Sequence, residues 1–315
     1  MTRAALAVLV MASTACLPFR DDGLYRCEPT SDGKCSADCV CEVFAVSDGE
    51  RLNAIWGSGA RDVWAAGTLG QGRQAAHFDG TGWKRVALPE AAEIFGLWGA
   101  SAADVWAVGD RGVIFHWDGA AWSKATSPTT ALINAVNGAS ATEVWAVSYF
   151  TTDDRNVLKL TGGGWSLEPA GPTGLYAVLP FAANDVWAAG VEWGAVQHYD
   201  GTRWQRVEMV NIETIRGAFG LSSTDFWLAA GKGLAHGDGD VLERRHASET
   251  ALRAVWASGA KDVWAAGEGG VLLRGDGEKF TSLKSGVTGT LTGVWGSGPG
   301  DVYAVGENGV LRFHP

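Results

Sequence analysis

The chain has 315 residues, with 44 Gly and 16 Trp against only 3 Met and 19% charged residues. Many glycines and aromatics with few helix formers favour an all-β fold rich in tight turns. The formal charge of −10 argues against a nucleic-acid binder, which needs a basic face to displace counterions from phosphate, and against adsorption on anionic lipid.

The first element is an address. Arg3 precedes the apolar run Ala4 to Ala12, then come the small residues Ser13, Thr14 and Ala15, then Cys16. A charged start, a short apolar stretch and small residues before a cut read as a secretory signal over residues 1–15. The run is too short to span a bilayer, which takes about 20 residues. Cys16 directly after the cut resembles bacterial lipoproteins, whose first mature Cys carries the lipid. The family favours an aliphatic residue three positions before that Cys, and Ser13 stands there. Ordinary cleavage after Ala15 fits the same residues. Parity favours lipid on Cys16: the other cysteines, Cys27, Cys35, Cys39 and Cys41, then form an even set.

Those four cysteines fall in a polar neck, residues 16–41. Their spacing is not that of paired metal knuckles and no His lies nearby, so two disulfides are expected and no metal. The sequence allows three pairings.

From residue 42 onward one unit repeats. An apolar strand ends in Trp-Gly; Asp-Val-Trp-Ala-Ala-Gly or a close variant follows, then a third strand, Asp-Gly, and an aromatic that opens a fourth. The second-strand element occurs at Asp62, Asp104, Glu143, Asp185, Asp225, Asp262 and Asp301, in steps of 37 to 42 residues. Four short apolar segments per unit, at that period, predict an all-β, seven-bladed β-propeller over residues 42–315 with four antiparallel strands per blade. Asp-Gly pairs such as Asp79-Gly80 and Asp118-Gly119 predict the hairpin between third and fourth strands. The seventh unit stops after its third strand. The orphan segment Glu42 to Val46 supplies the missing strand and closes the ring, removing the free edges.

The units resemble bacterial propeller repeats of the pattern Trp-Gly…Asp-Val-Trp-Ala-Val-Gly…His-x-Asp-Gly-x-x-Trp, common in large predatory soil bacteria and often placed near sialidase-type (BNR) repeats. They are similar, more distantly, to photosystem II assembly-factor propellers and to WD-like repeats. The resemblance covers residues 52–314. It implies scaffold or assembly roles more often than enzymes. The sialidase comparison departs at its motif, because Asp79 and Trp83, like Asp118 and Trp122, are four apart where an Asp-box has five.

The chemistry-bearing residues mostly repeat with the fold. His77, His116, His198 and His236 occupy one blade position and are spread round the ring, so they are expected at polar strand ends. The seven acids before Val-Trp are expected to accept backbone N–H groups in turns. No phosphate loop, metalloprotease or hydrolase motif is present, and no cofactor is expected. Function is sought where the repeat breaks. Blade three has Ser148 in place of Gly and an insertion carrying Tyr149, Asp153, Asp154 and Arg155; blade four has Glu192 and Trp193 at the equivalent turn, and Leu179-Pro180 in place of Trp-Gly. The turns between second and third strands share one face. Aromatics beside carboxylates there suit a peptide or sugar.

The sequence reading is therefore a secreted, monomeric, non-catalytic binding or scaffold protein of the cell envelope. It is held by lipid at the outer membrane or cell surface, or is periplasmic without that lipid, and meets a protein or polysaccharide partner. The alternative is a polysaccharide hydrolase or lyase using Asp153, Asp154 or Glu192, which needs two carboxylates about 5–10 Å apart.

Overall fold

The computed structural model describes two short strands, Leu17–Pro18 and Tyr25–Arg26, and residues 39–148, 155–168, 174–191, 196–207, 214–239 and 241–314. Cys16, Cys27, Cys35, Tyr149, Asp153, Asp154, Glu192 and Trp193 lie outside the described residues.

The repeat folds as a seven-bladed β-propeller of four-stranded antiparallel sheets. Blade one shows the plan: Arg51–Gly59, Asp62–Leu69, Gln74–Phe78 and Trp83–Ala87, each hydrogen-bonded to the next. First strands of neighbouring blades pack side by side round a central channel, and fourth strands form the rim. Blade seven takes Leu291–Gly298, Asp301–Gly306 and Gly309–His314 from the C-terminal end of the chain. Its fourth strand is Cys39–Phe44, antiparallel to the third with Cys39 opposite His314 and Phe44 opposite Val310. The closing strand predicted from residue 42 thus begins at Cys39. Tyr25–Arg26 adds outside it in parallel, and Leu17–Pro18 outside that, so this sheet has six strands.

Alternation along the second strand explains the core. Trp64 and Ala66 face blade two, while Val63 and Ala65 face blade seven. Both sides are apolar because each sheet is sandwiched. The buried apolar residues form seven clusters, and each spans one junction between blades. The core is therefore a ring of seven interfaces rather than one centre. Fourth-strand aromatics complete it: Trp122 of blade two meets Trp64 of blade one edge-on at 5.2 Å, and Trp165 meets Trp106 at 5.4 Å. Edge-to-face pairs of this kind add about 0.5–1.5 kcal/mol beyond area burial.

A second interlock lies nearer the channel. The Trp closing each first strand reaches over the Gly that follows the equivalent residue of the next blade: Trp56 over Gly99, Trp98 over Gly138, Trp256 over Gly296 and Trp295 over Gly57. The same rule explains the exceptions. Blade three carries Asn137 in place of Trp, so no ring covers blade four and Pro180 stands there instead of Gly. Asn137 donates to the Val178 carbonyl across that junction at 3.1 Å. Blade four has Leu179, and Phe181 supplies the ring over Gly220. Blade five has the smaller Phe219, and blade six tolerates Ala257 beside it.

Candidate binding face and channel mouth

The acid that opens each second strand has one partner in common. It faces the third-strand residue that lies opposite the Trp in the ladder. Asp62 meets His77 at 2.6 Å, Asp104 His116 at 2.7 Å, Asp185 His198 at 2.9 Å and Asp225 His236 at 2.9 Å. Lys159, Arg274 and Arg312 replace His opposite Glu143, Asp262 and Asp301, at 3.7, 2.7 and 2.6 Å. The same group lies over the strand's aromatic: His77 stacks on Trp64 at 3.9 Å, and Lys159, Arg274 and Arg312 lie over Trp145, Trp264 and Tyr303. In blades one, six and seven the other carboxylate oxygen takes the hydroxyl of Ser58, Ser258 or Ser297. These acids therefore bind side chains, where the sequence reading expected turn amides, although Asp62 accepts the Ser58 amide as well. Burial pushes the Asp62 carboxyl up, but the hydrogen bonds from His77 and Ser58 outweigh it and hold the value below the ordinary one. Burial, with the Asp301 charge beside it, pushes the Tyr303 phenol well up. The His are spread one to a blade, and no group of three or more metal-ligating side chains occurs among the described residues.

The acids of the Asp-Gly hairpins do act as turn acceptors. Asp79 Oδ1 receives the amides of Thr81 and Gly82, with Gly80 at φ 87°, and Lys84 bonds its second oxygen. Lys84 and Thr81 hold the Asp79 carboxyl well below its usual range.

First strands begin, and second strands end, on one face of the disc, so the second-to-third turns gather there as the sequence reading expected. Several polar residues of that face serve the fold. Asp110 accepts the Glu93 amide at 2.9 Å and Arg111 donates to the Ala91 carbonyl at 2.5 Å. Glu307 receives the Thr290 amide at 3.3 Å. Each ties a turn to the connection entering its blade. Ser148 is fully buried, and its amide donates to the Asn156 carbonyl at 2.8 Å. Arg155 is exposed beside Asn156. Of the binding residues named from sequence it alone is described.

At the centre of this face the channel opens into a mouth of about 450 Å³. The sequence reading missed it. Seven of its lining residues come from one register position of the first strand, the residue after the first buried aliphatic: Asn53, Phe95, Asn134, Tyr176, Arg216, Arg253 and Thr292. The strand around this position is apolar or small in every blade, while this residue changes from blade to blade. That contrast is the signal the sequence held. Arg51, paired with Glu93, stands at the rim. Among the described residues Glu307 is the only carboxylate lining the channel, and no His lines it.

No protein-family model and no curated protein matches this sequence. Solved structures do. YCF48 bound to D1 peptide is similar at TM-score 0.67 with 14% identity, over 87% of this chain and 96% of that one. The WD40 β-propeller domain of Doa1 gives 0.68 with 11% identity, over 86% and 94%. A catalytically inactive variant of virginiamycin B lyase from Staphylococcus aureus, with quinupristin, gives 0.74 with 12% identity, over 88% and 99%. At these identities the likeness establishes the fold.

Proposed function

We propose that this chain is a non-catalytic binding or scaffold protein that presents the face bearing the channel mouth to a protein partner. The observation that carries the reading is positional. The seven acid–base–aromatic sets, the hairpin turns and the Trp-Gly interlock repeat with the fold and are accounted for by it. The residues of one first-strand position, which change from blade to blade and are not accounted for by those sets, gather at one mouth. Propellers of this shape include one bound to a peptide. The sequence adds an address: residues 1–15 as signal, Cys16 as lipid carrier, the neck disulfides among Cys27, Cys35, Cys39 and Cys41, and an outer-membrane or cell-surface site. The sequence adds Tyr149, Asp153, Asp154, Arg155, Glu192 and Trp193, expected in turns of the same face, as further contact residues.

Capture from envelope extract tests the reading. The full chain should retain a partner that Tyr149→Ala combined with Trp193→Ala loses. Leu221→Asp, an exposed residue at the opposite end of a first strand, should keep it. Equal capture by all three chains would remove the face from consideration. Cys16→Ser should move the protein from the membrane to the soluble fraction, and continued membrane partition would end the anchor.

A further inference from the structure

The residues at the channel mouth divide by what they do for the fold. Three of them bind the next blade at one equivalent atom. Asn53 donates to the Ile94 carbonyl at 2.9 Å, Asn134 to the Leu175 carbonyl at 2.6 Å and Thr292 to the Leu52 carbonyl at 2.7 Å. Arg216 and Arg253, on adjacent blades, make no such bond. The Arg216 guanidinium lies 5.1 Å over the Tyr176 ring, which holds it in place without neutralising it. It meets no carboxylate among the described residues. Arg253 pairs with Glu268 through one terminal nitrogen, while its Nε is buried with no acceptor. Among the described residues these two neighbouring guanidinium groups therefore meet one carboxylate between them, and one N–H lacks the hydrogen bond that burial demands. In a molecule of net charge −10, three arginines, Arg51, Arg216 and Arg253, gather at this mouth, and among the described residues Arg216 alone of them makes no ion pair.

We propose that Arg216 and Arg253, with Tyr176 beside them, form a carboxylate subsite that takes an acidic segment of a protein partner. The proposal rests on the binding-face reading above and names its ligand chemistry. A guanidinium presents a planar fork of donors that matches a carboxylate through two parallel bonds. The Tyr176 ring limits the fork's freedom, so less order is lost when an anion arrives. The cavity lies in the size range of small-ligand sites. A sugar would also offer hydroxyl donors that need acceptors. Glu307, the one carboxylate in the described lining, already receives the Thr290 amide. The donors of the mouth thus outnumber its acceptors, which favours a ligand that brings carboxylates.

Titration calorimetry on the full chain tests this with defined probes. The first is a seven-residue capped peptide with three consecutive aspartates. The others are its asparagine analogue, trigalacturonate and inorganic phosphate. The aspartate peptide should bind at least tenfold more tightly than the asparagine peptide, trigalacturonate or phosphate. Arg216→Gln with Arg253→Gln should weaken it at least tenfold with an unchanged melting temperature. Lys261→Gln, at the first-to-second-strand turn on the opposite face, should leave it unchanged. Equal binding of the two peptides, or retention by the double Arg variant, would overturn the subsite. Tighter binding of trigalacturonate or phosphate than of the aspartate peptide would overturn the peptide assignment. Capture of the envelope partner separates this proposal from its premise: a double Arg variant that still captures the partner removes the subsite and leaves the binding face standing. The expected result is loss of capture by both the double Arg variant and the Tyr149→Ala, Trp193→Ala variant, with peptide binding weakened only in the double Arg variant.

Discussion

Glu50 shows how single residues fasten the ring where the chain enters blade one. It stands just before the first strand, and its oxygens take Arg85 of the fourth strand at 2.6 and 2.7 Å and the Gly70 amide at 2.7 Å. The Arg85 hydrogen bonds, opposed by burial and helped by the Gly70 and Ser47 amides, lower its pKa from 4.5 to about 2. A carboxyl depressed in the folded state contributes stability that is complete above its unfolded value. That stability is lost as pH falls towards the folded value. Glu50→Gln should therefore lower the melting temperature at pH 7, and its curve should converge on the wild type's between pH 4.5 and 2. Parallel curves across that window would mean the contact is not formed. Legibility at this scale was uneven. The residues repeating before Val-Trp and before Asp-Gly were visible as patterns. Their pairing was not, because the partner of Asp62 lies on a neighbouring strand, fifteen residues on, and changes type from His77 to Lys159 to Arg274 between blades. Spacing puts His77, Lys159 and Arg274 at one blade position, but only the ladder register shows that this position lies opposite the Trp and so beside the acid.

Among strands, the decisive contacts run between blades rather than within them. The rule that a Trp demands Gly in the next blade holds around the ring, including the step from Trp295 to Gly57 that joins the two ends of the repeat. A Cβ on Gly99 would stand 2.6 Å from Trp56 and 2.7 Å from the Asp104 carbonyl, one of which must move. Gly99→Ala should cost about 1–3 kcal/mol, the usual range for overpacking a filled core. Gly259→Ala, with open space around its Cβ, should change stability far less. Chemical denaturation of both variants measures this, and equal midpoints would contradict the interlock. The same rule changes the meaning of Leu179-Pro180. Read along the chain it is a break in the repeat and hence a candidate for function. Read across the junction it is the consequence of Asn137 in the preceding blade. The motif was legible and its cause was not, because the two residues are separated by one whole blade in sequence. The mouth residues were hidden for the opposite reason. They do not repeat in type, so no motif marks their first-strand position.

For the whole molecule the repeat count, strand count and ring closure could all be read from spacing, because each blade is a local unit whose turns and periodicity are contiguous in the chain. The closing strand was legible as an apolar segment without a partner at one end and a blade without a fourth strand at the other. Closure also sets polarity. The closing strand runs from Cys39, at the face opposite the mouth, to Phe44, beside the turn at Gly309. The neck therefore enters on the far side from Arg216 and Arg253. The central claim is that one face of the ring, centred on the mouth, meets the partner. Hydrogen–deuterium exchange of the full chain with and without its captured partner tests it most directly. The account predicts protection at the starts of the first strands, around Phe95, Tyr176, Arg216 and Arg253, and in the second-to-third turns. Protection confined to the fourth strands at the rim, or to the turns beside Leu221 and Lys261 on the other face, would contradict it.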